Sequence, residues 1–119
     1  MSRRDDLTSL RDMLAHSIEA VDVLNGMGRD ELGADRIRQL ALTRLVEIIG
    51  EAGRRVSFKT QEIYHQIPWP EIIGMRNRLV HGYDVIDFDL LWDTVNEDLP
   101  PLIEMLEKAI AKEEEAHSD

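Results

Sequence analysis

Apolar residues recur along this chain at spacings of three and four, the period of a helix rather than of a strand. In the first segment Leu7, Leu10, Leu14, Val21 and Leu24 share a face, with Met13 and Ile18 beside it, and the Asn25-Gly26 turn signal ends the run. After the Gly28 breaker, Asp30 can cap a second, longer helix whose Leu40, Leu45, Ile48, Ile49, Ala52 and Val56 form a buried face up to about Ser57. Two long helices joined by a short link predict an antiparallel hairpin. From Phe58 to Ile67 the period lapses into a connector with a short turn around Gln61 to His65. Pro68-Trp69-Pro70 then opens a third, shorter helix, which buries Ile72, Ile73, Met75, Leu79 and Val80 and ends at Gly82. That ending puts His81 on the last helical turn and Tyr83 just beyond it. Asp87 is a good N-cap for a fourth helix carrying Leu90, Leu91, Val95, Leu99, Leu102, Ile103, Leu106 and Ile110, and Pro100-Pro101 must kink or break it. The prediction is an all-α, antiparallel bundle of four to five helices.

At 119 residues the chain is expected to form one domain, residues 1–119, with room for a core and little else. Seven glycines and four prolines are few for a protein of many short strands, which supports the helical pattern. Cysteine is absent, which excludes disulfides and thiolate metal sites and fits a reducing cytoplasm. The opening MSRRDDLTSL has no apolar signal-peptide region, and no stretch approaches the ~20 apolar residues of a membrane span. Neither export by a signal peptide nor membrane insertion is expected. In the tail KEEEAHSD the glutamates oppose the helix dipole, so residues 113–119 are expected to fray.

The net charge of -10 argues against a broad nucleic-acid-binding surface, because phosphate contacts come mainly from Lys and Arg. Eleven arginines against three lysines temper this, since guanidinium forks suit phosphate better than ammonium groups. Two of the arginines, Arg76 and Arg78, stand in the run RNRLVHGY. A fixed cation, an imidazole titrating near neutral pH, an amide and a phenol crowd into its eight positions, Arg76 to Tyr83. The Arg-x4-His spacing alone is weak, with roughly 0.4 matches expected by chance in this composition. Arg11 and His16 repeat it inside the first helix, where Leu10 and Leu14 commit that face to the core. Five residues advance a helix by about 500 degrees, so such a pair diverges in a continuous helix and converges only where the helix ends. The exit at Gly82 therefore favours Arg76 and His81, and His16 is expected to be an ordinary surface or half-buried residue.

The run from Trp69 through PEIIGMRNRLVHGYDVID to LWDTVNEDLPPL, preceded by ALTRLVEIIGEAGRRVS, resembles the HepT-like branch of the HEPN proteins, toxins of the HepT/MntA toxin-antitoxin systems. The likeness spans about residues 5 to 110. Its most specific part is Arg-x-x-x-x-His-x-Tyr at Arg76, His81 and Tyr83, with Asn77 after the arginine; Glu47 and Gly50-Glu51-Ala52 match the second-helix pattern. The resemblance implies a metal-independent endoribonuclease, requiring no cofactor, that works as a homodimer with two motifs facing one cleft. It also implies a partner, a minimal MntA-like nucleotidyltransferase antitoxin that silences the toxin by adenylylating Tyr83.

The residues suit that chemistry. RNA supplies its own nucleophile, the 2′-hydroxyl, so a protein need only move protons and stabilise the charge gathering on phosphorus. His81 suits proton transfer and Arg76 the charge. Asn77 can orient His81 or the phosphate, Tyr83 can hydrogen-bond a phosphate oxygen, Arg78 can grip a neighbouring phosphate, and Glu51 with Glu47 can rim the cleft. Each also has a plain structural role: an ion pair for Arg76, a helix C-terminal imidazole for His81, a packed ring for Tyr83, solvated positions for Arg78, Glu47 and Glu51. Two rival functions remain. Glu62-x-x-His65, with Glu47, Glu51, Asp93 and Glu97, has the residue types of a di-metal carboxylate bundle. A non-catalytic dimeric adaptor of a separate nucleotidyltransferase would use the same fold without the chemistry.

Overall fold

A computed structural model describes residues 3–82 and 85–116, with side chains from residue 5 onward. Three long helices carry the molecule: α1 (Arg3–Leu24), α3 (Arg36–Arg55) and α8 (Leu99–Ala116). Short elements connect them: α2 (Arg29–Gly33), α4 (Phe58–Ile63), α5 (Trp69–Ile73), α6 (Met75–Leu79), strands β1 (Val80–His81) and β2 (Val85–Ile86), α7 (Phe88–Asp93) and a π-helical turn, Thr94–Asp98. The all-α class holds, with a small hairpin added to it. No helix among the described residues is long and apolar enough to cross a membrane.

Helix α1 lies against both α3 and α8. Leu10, Met13, Leu42, Val46, Ile49 and Leu106 are fully buried where the three meet. The buried stripe of α1 continues through Ser17 and Ala20, whereas Ile18 is exposed. Small side chains let α1 approach its neighbours closely there, which the positions of its large residues did not reveal. The helix ends as expected, with Gly26 at φ 76, a conformation that favours glycine.

The expected second helix is two. Asp30 lies inside α2, whose N-cap is Gly28, and the Gly28 amide donates to the Glu31 carboxylate at 3.0 Å. The long helix is capped instead by Asp35, whose carboxylate accepts from the Arg38 amide at 2.9 Å; this bond and the Arg38 guanidinium lower the Asp35 pKa. The expected turn at Gln61–His65 begins earlier, as α4, because Ser57 accepts from the Thr60 amide as an N-cap. Asp87 caps α7 as predicted, accepting from the Leu90 amide at 3.1 Å. Pro100 and Pro101 lack the N–H groups that would meet the carbonyls of Asn96 and Glu97, and the helix resolves this with the π turn just before them. Helix α8 extends to Ala116, and buried Glu113 accepts from the Tyr64 hydroxyl at 2.6 Å. Residues 117–119 lie outside the described residues.

Asp6, which sequence patterns did not single out, ties α1 to the junction of α3 and α4. Its buried carboxylate accepts from the Ser57 amide at 2.9 Å and from the hydroxyls of Ser57 and Thr60 at 2.6 Å each. Burial disfavours its charge, but these hydrogen bonds more than offset that and hold the pKa below the ordinary 3.8. With the folded pKa below the unfolded one, the stabilisation is complete above about pH 4 and is lost as pH falls through the folded value. Asp6→Asn is expected to cost about 1–2 kcal/mol at pH 7 and to flatten the acid limb of stability. Urea unfolding at pH 7 and pH 3 checks this; equal loss of stability on acidification in both proteins would contradict it.

Candidate active site

The site is built on α3, α6 and the hairpin that follows α6. Gly50 on α3 lets the backbone of α5 come close: a Cβ there would stand 3.0 Å from the Ile72 carbonyl oxygen and 3.3 Å from that of Ile73. Buried Trp69 fixes the start of α5, its indole N–H shared between the carbonyls of Gln61 at 3.2 Å and Tyr64 at 3.1 Å. Gly74 separates α5 from α6. Met75 and Leu79, four apart, then bury one side of α6 and leave Arg76, Asn77 and Arg78 exposed on the other.

The helix stops at Leu79, earlier than expected. His81 is therefore not on a last helical turn but on β1, paired with Val85, next to the Val80–Ile86 pair. Val80 before it and Val85 and Ile86 on the paired strand explain this, since they fit a pleated backbone better than a frayed helix end. A hairpin this short is marginal alone. Its base is held by the Asp87 amide donating to the Leu79 carbonyl at 2.7 Å, its upper end by Gly82 at φ 70. Val80 turns inward and His81 stands exposed. Tyr83, and with it any statement on its modification, lies outside the described residues.

Arg76 points toward α3. Its Nε lies 3.7 Å from a Glu47 carboxylate oxygen, and the other Glu47 oxygen accepts from Arg44 at 2.7 Å. A carboxylate thus sits between two guanidinium groups, all partly open to solvent. The Arg76 Nη groups hydrogen-bond nothing among the described residues, so the bidentate fork is available for an oxyanion. The ion pair foreseen as the plain role of Arg76 is present, and it leaves the other role open: the contact orients the arginine without occupying its fork. Arg44 was missed by the sequence analysis, though its i,i+3 spacing to Glu47 was a usable signal.

The other candidates are placed as follows. Asn77 is exposed beside Arg76. Arg78, about 200 degrees around the helix from Arg76, donates instead to the Glu71 carbonyl at 2.9 Å on another wall. Glu51 is exposed one turn beyond Glu47, and among the described residues no hydrogen bond or ion pair joins it to Arg76 or His81. No hydrogen bond or ion pair joins Arg76 to His81 among the described residues. The second Arg-x4-His pair is spent elsewhere: Arg11 pairs with Glu114 at 2.7 Å, and the His16 ring donates to the Asp12 carbonyl. Glu62 and His65 are both exposed, and among the described residues no group of three or more His, Asp or Glu side chains is arranged to hold a metal ion.

The polar set continues an exposed stripe along α3. Ile37 is 80% and Leu40 46% exposed, the latter against the expectation that it would be buried. Ala41, Arg44 and Glu47 follow at helical spacing, so an apolar face open to solvent runs into the Arg44–Glu47–Arg76 set.

The description "Ribonuclease HepT-like" belongs to a family profile that matches residues 13–109. A Methanocaldococcus jannaschii protein named "Putative RNase" is 35% identical over 102 residues, covering 86% of this chain and 94% of its own. "Probable ribonuclease HepT" of Thermococcus cleftensis is 35% identical over 104 residues, 84% of this chain and 94% of its own. A second M. jannaschii protein with the "Putative RNase" name is 30% identical over 115 residues, 97% and 99% of the two chains. No solved structure matches. The match to the profile includes α3, α6 and the whole Arg76–His81 run, and the chain belongs to the ribonuclease HepT-like family.

Proposed function

We propose that the protein is an endoribonuclease that cleaves RNA by attack of the 2′-hydroxyl on the adjacent phosphodiester, without a metal ion. The observation that carries this is the arrangement of Arg76, held by one edge against Glu47 with its fork free, on a helix that hands the chain to exposed His81. Arg76 binds the phosphate oxygens and stabilises the charge that grows on them. His81 takes the 2′-hydroxyl proton or protonates the leaving 5′-oxygen. One imidazole cannot be base and acid in the same step, and a second copy supplies the other. The exposed Ile37, Leu40 and Ala41 stripe supports a two-fold homodimer, since covering it with its own copy brings two Arg76 sites toward one axis. Asn77 orients the phosphate or the imidazole, and Glu51 stays at the rim.

In the same proposal the protein is the cytoplasmic toxin of a toxin-antitoxin pair, and a MntA-like nucleotidyltransferase silences it by adenylylating Tyr83. A nucleotide on Tyr83, two residues from His81, adds negative charge that draws in Arg76 and repels RNA. The purified protein is expected to cut RNA in EDTA and to leave DNA of the same sequence intact. Protein made together with its nucleotidyltransferase is expected to be inactive and to carry a nucleotide mass on Tyr83. An uncut RNA would favour the dimeric adaptor; an inhibited but unmodified protein would remove the role of Tyr83 alone.

A further inference from the structure

A groove on the other side of α6 from Arg76, reached by Arg78 of the same run, extends along α8. One cavity, about 330 Å³, lies between α5–α6 and the start of α8, and a second, about 460 Å³, lies between the segment after α4 and the end of α8. Both are lined by Met105, so they form one trough along the face of α8 that carries Leu102, Met105, Lys108 and Lys112. From Asp98 to Lys112 it is about 20 Å long, or four helical turns.

Its floor is apolar and its ends carry opposite charge. Ile72, Met75, Leu102 and Met105 line the first part, with Glu71, Glu97 and Asp98 at its edge against one cation, Arg78, which is held by the Glu71 carbonyl. In the second part Ile67 and Ala109 lie under Lys108, Lys112 and His65. The chain has three lysines, and two of them stand here. Of the acids of α8, Glu113 is engaged by Tyr64 and Glu114 by Arg11. The π turn shapes the acidic end by carrying Glu97 and Asp98.

The geometry points to a docking groove for an amphipathic helix of a partner protein, acidic in its first turn and basic in its last, lying antiparallel to α8. Acidic first and basic last turns are also what a helix itself favours. Its basic end meets Glu97 and Asp98, its acidic end meets Lys108 and Lys112, and its apolar stripe covers Leu102 and Met105; methionine adapts well to such a surface. Single-stranded RNA fits less well. Three carboxylates against the single guanidinium of Arg78 edge one end, and the rings lining the trough, Tyr64 and His65, stand together at the other, whereas single-strand sites offer continuous cation and stacking platforms. This inference does not depend on the chemistry at His81.

Two fluorescein-labelled 16-residue peptides of equal composition test it. Both carry leucine at i, i+3, i+4 and i+7; one has Glu in the first turn and Lys in the last, the other the reverse. Anisotropy with the full chain is expected to show binding of the first, weakened about tenfold for the second, as charge mismatch at both ends demands. Lys108→Glu with Lys112→Glu should weaken the first peptide, and adding Glu97→Lys with Asp98→Lys should restore order by preferring the second. All four side chains are exposed at the groove, and an unchanged circular dichroism spectrum accompanies a valid comparison. Equal binding of both peptides, binding of neither, or loss of RNA binding in the lysine variant would overturn the proposal, the last assigning the groove to RNA.

Discussion

Replacing His81 with alanine is expected to lower the rate of RNA cleavage by about 10²–10⁴-fold, the range for loss of a positioned acid-base group. The side chain is exposed on β1 and has no hydrogen bond or ion pair among the described residues, so stability should change by less than about 0.5 kcal/mol. The backbone of the hairpin survives, because its pairing and the Leu79–Asp87 hydrogen bond involve main-chain atoms only. A drop in activity with the helical signal and urea midpoint unchanged would place the loss in chemistry. Cleavage by the variant at the full rate would remove His81 from the mechanism, and a fall in stability matching the fall in rate would assign it to structure.

Gly50→Val is expected to destabilise the protein by about 3 kcal/mol, the upper part of the range for overpacking, and to lower the melting temperature by on the order of 10 °C. Leaving glycine within a helix should by itself gain some stability, up to about 1 kcal/mol. Contact decides the sign. The first added carbon already stands 3.0 Å from the Ile72 carbonyl oxygen, and a backbone atom cannot swing aside as a side chain tip can. Valine adds two more methyl groups to the same space. Helix α5 must then move off α3, carrying α6 and Arg76 away from Glu47, so cleavage should fall even at temperatures where the variant is folded. An unchanged melting temperature would mean that the α3–α5 approach is looser than the structure shows.

The long helices were legible because each carries a stripe of large apolar residues, as in α8 from Leu99 to Ile110, and because Asp87 and Gly26 are strong local signals. The break between α2 and α3 was not, since Asp30 and Asp35 are both good caps and only the packing of α2 chooses between them. The helix exit at Gly82 was placed two residues late: Val80, Val85 and Ile86 carry a strand preference, but two residues per strand are too few for a period to show. Leu40 looked like core because it keeps helical spacing; that its face meets solvent is a tertiary fact. The same holds for the site. Arg76, His81 and Tyr83 stood out through residue type and spacing, while the pairing of Arg76 with Glu47 spans 29 positions and follows from the close packing that Gly50 allows. Arg78 looked like a partner of Arg76, but an offset of two on a helix sends it to the groove beside α8 instead.

The central claim, RNA cleavage through Arg76 and His81 with the substrate's own hydroxyl as nucleophile, is tested most directly by the chemistry of the cut ends. Purified protein incubated in EDTA with a short RNA should give fragments whose masses show a 2′,3′-cyclic phosphate on one side and a free 5′-hydroxyl on the other. Fragments ending in a 3′-hydroxyl and a 5′-phosphate, or cleavage that requires an added divalent metal ion, would contradict it.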